Sequence, residues 1–81
     1  MADTQKTRRK RNPAVLVLSV EIERETDGRW IADIPQLPGV MKYGRSKAEA
    51  MRKAQALALR VLADRLEEGE LQQESISFAV A

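Results

Sequence analysis

The stretch Asp27-Gly28-Arg29-Trp30-Ile31-Ala32-Asp33-Ile34-Pro35-Gln36-Leu37-Pro38-Gly39-Val40-Met41-Lys42-Tyr43-Gly44 decides the fold. Asp27 tolerates positive φ and Gly28 adopts it freely. Apolar-alternating runs flank the pair, so a two-residue β-hairpin turn is expected there. In the strand that follows, Trp30, Ala32 and Ile34 share one face while Arg29, Ile31 and Asp33 share the other. Pro35 has no amide hydrogen to give to a ladder, and the strand stops before it. Pro38-Gly39 suits the two central positions of a type II turn, which sends the chain back as a third strand over residues 40–43.

Upstream, residues 14–23 read as the first strand. Leu16, Leu18, Val20 and Ile22 make one apolar face, while on the other Val15 and Val17 give way to Ser19, Glu21 and Glu23. Its first half is therefore expected to be covered on both faces and its second half to have one face in water. Glu21 and Glu23 are read as cross-strand ion partners of Arg29, not as a catalytic pair.

Downstream, Gly44-Arg45 turns the chain and Ser46-Lys47-Ala48-Glu49 matches a capping box, in which Glu49 reaches back to the Ser46 amide. A helix follows over residues 47–68, with Ala50, Met51, Ala54, Leu57, Ala58, Val61 and Leu62 forming its apolar stripe. The alanines imply a close approach to a sheet, and Leu59 and Leu66 mark the margin of the stripe. Gly69 is placed to end the helix, with Glu67 and Glu68 opposing the macrodipole and loosening the last turn. Ile76, Phe78 and Val80 alternate with small residues and make a final strand.

The order β-β-β-α-β, with a right-handed crossover returning strand four beside strand one, defines an α+β fold. Its expected form is two layers: a four-stranded mixed sheet in the order 3-2-1-4, with one long helix on one face. The second face carries Val15, Val17, Ile31 and, depending on the pleat, either Met41 and Tyr43 or Val40. An apolar second face signals a partner or self-association, here as a homodimer.

Composition agrees with one small domain over residues 14–81. A chain of 81 residues buries roughly 60–65% of its unfolded surface. It contains no cysteine and no histidine, which removes disulfides, thiolate and imidazole chemistry and zinc sites of the usual N/S type; no metal or cofactor is expected. The longest uncharged run, residues 12–20, is nine residues against the roughly 20 needed to span a bilayer. The polar start Met1-Ala2-Asp3-Thr4-Gln5 lacks a secretory apolar stretch, so a cytoplasmic location is expected. Charge is divided unevenly. Residues 1–13 carry Lys6, Arg8, Arg9, Lys10 and Arg11 against Asp3, a net +4, while residues 14–81 hold nine basic and eleven acidic groups. The cluster reads as a disordered basic tail able to meet nucleic acid or an acidic patch, or simply as a solvated leader.

The spacing of Val20-Glu21-Ile22-Glu23, Asp27-Gly28, Trp30, Asp33-Ile34-Pro35-Gln36-Leu37-Pro38-Gly39, Tyr43-Gly44 and residues 46–50 resembles the HicB family over about residues 15–70. The resemblance implies a partial ribonuclease H arrangement and the antitoxin half of a bacterial type II toxin-antitoxin pair. The partner would be a small HicA-type toxin, a ribonuclease that cleaves mRNA. Only the toxin-binding module carries over, because the sequence ends at Ala81 and the DNA-binding domain of many members is not expected. On this reading Asp33, Pro35, Gln36, Leu37, Pro38 and Gly39 form a stiff partner-binding segment, with Leu37 as its exposed apolar contact and Trp30 in the core. No enzyme activity is expected, since Glu21 or Glu23, Asp33 and Glu49 do not converge on a metal and strand four has no acid. The alternatives are a stand-alone nucleic-acid module using the tail with Lys42, Arg45 and Lys47, or a domain of this fold without a toxin partner.

Overall fold

The computed structural model describes residues 15–71 and 75–80; the basic tail assigned to residues 1–13 lies outside them. Four strands, β1 (Val15–Arg24), β2 (Trp30–Asp33), β3 (Met41–Gly44) and β4 (Ser75–Val80), and one helix, α1 (Lys47–Glu67), follow in the order β1-β2-β3-α1-β4. The sheet order is β3-β2-β1-β4, with β1/β2 and β2/β3 antiparallel and β1/β4 parallel, which is the α+β topology expected.

Strand parity explains the layers. Leu18 and Val20 of β1 and Ala32 of β2 point to the helix side and are fully buried there, joined by Ile34 and Val40 from the following loop. On the helix, Ala50, Ala54, Ala58 and Leu62 form a single buried ridge at four-residue spacing, flanked by half-buried Met51, Leu57 and Val61. The alanines let the backbone approach closely. A Cβ built on Gly44 would overlap the backbone nitrogen of Ala50, so the last residue of β3 is where helix and sheet nearly touch. Gly44 is thus the end of a strand held by proximity, not the turn residue expected.

Four local details differ from expectation. The β1/β2 hairpin turns through three residues, Thr26, Asp27 and Gly28: the Glu25 N–H donates to the Arg29 carbonyl (2.7 Å), and the Gly28 N–H donates to Glu25 (2.9 Å). Gly28 takes φ 93°. The apolar pattern required an odd loop. The core residues of both strands occupy even positions (Val20 and Ile22, Trp30 and Ala32), and even positions can face each other only across an odd number of turn residues. Register therefore sets Glu21 opposite Asp33 and Glu23 opposite Ile31, so neither glutamate is an ion partner of Arg29.

At the helix start, Ser46 Oγ accepts from the Glu49 N–H at 3.1 Å as expected, but the Glu49 carboxylate accepts from the Arg45 N–H at 2.6 Å instead of from Ser46. At the other end, the expected loosening meets a closed turn. The Gly69 N–H donates to Leu66 and the Glu70 N–H to Arg65 (2.8 Å), a Schellman motif with Gly69 at φ 75°. Strand β3 starts at Met41, not residue 40, and this pleat sets Met41 and Tyr43 on the side away from the helix.

Candidate partner-binding surface

The 35–39 loop follows from two prolines and one glycine. The Leu37 N–H donates to the Ile34 carbonyl (2.9 Å) and the Val40 N–H to the Leu37 carbonyl (3.0 Å), giving two β-turns that share Leu37. The Ile34 N–H donates to the Val40 carbonyl at 3.0 Å and ties the ends together. Gly39 holds φ 86°, the value a type II turn needs after Pro38. Because the backbone satisfies itself, the loop can bury a side chain. Leu37 does so, at 3% exposure, in the core with Ile34 and Val40. The exposed contact expected of Leu37 is therefore corrected: its side chain anchors the loop from beneath. The recurrence of Ile34, Leu37 and Val40 every third residue was the signal for it.

Pro35, Gln36, Pro38 and Gly39 are exposed. The Gln36 side chain reaches back to β1, where its Oε1 accepts from the Ser19 N–H and its Nε2 donates to Ser19 Oγ, both at 3.2 Å. It stands in for the ladder bond that β2 can no longer make once Pro35 has ended it. Asp33 lies next to this loop, on the open face of the sheet.

That face has two parts. Val15 (55% exposed) and Val17 (49%) lie at one end of β1, and Met41 (48%) and Tyr43 (41%) lie on β3. Between them, Glu21, Glu23 and Asp33 surround Ile31 and Met41 in a cleft of about 300 Å³. Glu21 and Asp33 are directly opposite across the β1/β2 ladder, a like-charge pairing that works against the sheet. Even so, no group of three or more acidic side chains among the described residues is placed to hold a metal ion. Sequence reasoning missed the Glu21/Asp33 pairing because it assumed the shorter turn.

A smaller cleft of about 210 Å³ lies at the helix start, lined by Arg29, Tyr43, Gly44, Arg45, Glu49 and Lys53. Two of its three cations are engaged locally. Arg29 Nε pairs with Asp27 Oδ2 at 2.8 Å and its guanidinium lies 4.2 Å from the Tyr43 ring centroid, while Lys53 pairs with Glu49 at 3.8 Å. The Arg29 N–H, then its guanidinium, hold the Asp27 carboxyl below its ordinary value. The Arg45 N–H, then the charges of Lys53, Arg45 and Arg52, do the same for Glu49. Trp30 is half buried on the helix side with the Arg24 guanidinium 5.6 Å from its ring, in keeping with a core position. Lys42 is half buried and Arg45 and Lys47 are exposed; Lys6, Arg8, Arg9, Lys10 and Arg11 lie outside the described residues. No helix among the described residues is long and apolar enough to cross a membrane. No family model, curated protein or solved structure matches the chain.

Proposed function

We propose that this chain is a protein-binding module that works by covering its partner, and that its partner is a small HicA-type, mRNA-cleaving toxin, as the motif resemblance implies. The observation that carries the reading is the pre-ordered 35–39 loop standing beside an uncovered, partly apolar sheet face. A loop pinned by two turns, a buried leucine and a side-chain bond to β1 loses little freedom on binding, which favours affinity without chemistry. Asp33, Pro35, Gln36, Pro38 and Gly39 supply the contact, with Leu37 holding it rigid. The module is a cytoplasmic homodimer in this reading, with Val15 and Val17 as the apolar end available to a second copy.

Co-purification of the tagged full chain from its native host, with mass spectrometry of what stays bound after nuclease treatment, tests this. A small basic toxin-like protein in stoichiometric amount is the expected result. Retention that disappears with nuclease, with no such protein, overturns the toxin reading in favour of a nucleic-acid module.

A further inference from the structure

Among the described residues, no cation pairs with the acidic half of the open face. Among the described residues the ion pairs are Arg29–Asp27 and Lys53–Glu49, and neither involves Glu21, Glu23 or Asp33. Those three carboxylates rim a cleft whose apolar lining is Ile22, Ile31 and Met41. An acidic rim around an apolar floor fits lysine or arginine: the aliphatic stem lies on Ile31 and Met41, and the charged head meets the carboxylates. The same chain carries five such residues within six positions, Lys6, Arg8, Arg9, Lys10 and Arg11, joined to the strand that bears Glu21 and Glu23.

We propose that this basic cluster is the occupant of the acidic cleft, bound in cis. Reach permits it. Along β1, Glu21 lies about 20 Å and Glu23 about 26 Å from Val15, at roughly 3.3 Å per residue. An extended chain running back from Val15 carries Arg11 to about 14 Å and Lys6 to about 30 Å, at roughly 3.4 Å per residue. The cluster therefore brackets the carboxylates. Charge fits as well, a net +4 over residues 1–13 against a mildly acidic remainder, and a cation between Glu21 and Asp33 relieves their opposed charges. The consequence is competition: a polyanion that takes the cluster uncovers the face, and a partner that takes the face frees the cluster. This inference stands whether or not the partner is a toxin.

The absence of cysteine makes the test clean, since Thr4→Cys in the full chain gives a single nitroxide site. At low salt the amide signals of Glu21, Glu23, Ile31 and Asp33 are expected to lose about half or more of their intensity against the reduced label, and to recover at about 0.5 M salt, where screening acts within a few Å. Glu21→Gln with Asp33→Asn, or glutamine at Arg8, Arg9, Lys10 and Arg11, restores the signals at low salt. Inorganic polyphosphate, used as a polyanion probe, does the same. Broadening confined to the neighbours of Val15, or insensitive to salt and to both sets of substitutions, overturns the proposal. So does broadening that passes from labelled to unlabelled copies in a mixed sample, which would make the contact one between two chains. Loss of the toxin partner in co-purification leaves these signals unaffected, so the two readings fail separately.

Discussion

The two faces of the one sheet are built from alternate residues of the same strands and follow different rules. On the helix side, Leu18, Val20 and Ala32 are closed over by an alanine ridge so near that Gly44 has no room for a methyl group. On the other side, Val15, Val17, Met41 and Tyr43 stand in the open beside three carboxylates, two of them directly opposed. The first face is specified by sterics, so substitution there is paid for in stability. The second contributes little to folding, so its residues are free to answer to a partner.

That contrast can be broken most severely at Leu37. Leu37→Ala should cost about 2–5 kcal/mol in urea unfolding, the range for a buried leucine. Leu37→Asp should leave no folded protein, because a domain has only about 5–15 kcal/mol to lose. A cost for Leu37→Ala below about 1 kcal/mol would mean that the side chain faces outward after all. Gly44→Ala comes next, at about 1–3 kcal/mol, since the obstacle is backbone and cannot rotate away. Thermal unfolding of this variant measures how rigid the helix-sheet contact is.

Ser46→Ala should cost about 1 kcal/mol by removing the cap. The same corner contributes to the acid limb of stability. Asp27 and Glu49 have carboxyls depressed in the folded chain, so their contribution is complete above the ordinary carboxylate range and is lost as pH falls below it through their folded values. Melting temperature followed from neutral to acid pH should stay level and then drop, and Glu49→Gln should make the drop shallower.

Smaller still, Gln36→Ala should cost about 0.5–1.5 kcal/mol and speed hydrogen exchange at the Ser19 amide. On the open face, Val17→Lys and Met41→Lys should change stability by no more than about 0.5 kcal/mol while weakening self-association or partner capture. If either unfolds the domain, the open face is structural and the comparison fails.

Most of the topology was legible because parity, proline and glycine speak locally. Leu16, Leu18, Val20 and Ile22 fix a strand, Pro35 stops another, and Gly39 turns the chain, with no need of distant partners. What was less legible depended on how two segments meet. Asp27-Gly28 alone points to a two-residue turn, which would set Glu21 opposite Ile34; one extra turn residue sets it opposite Asp33. A loop backbone that needs water would set Leu37 outside, whereas the two shared turns satisfy it internally. Gly44 carried no local mark of its role, because the atom it avoids belongs to Ala50, across the helix start.

Trp30 and Tyr43 are ring partners of Arg24 and Arg29, on opposite sides of the sheet. As the only indole and the only phenol in the chain, they are also two optical reporters, one assigned to each layer. Selective excitation of the indole follows the helix-side core through unfolding. Phenol emission and its energy transfer to the indole respond to whatever settles on the open side, so a single unlabelled sample can distinguish loss of the fold from occupation of the face.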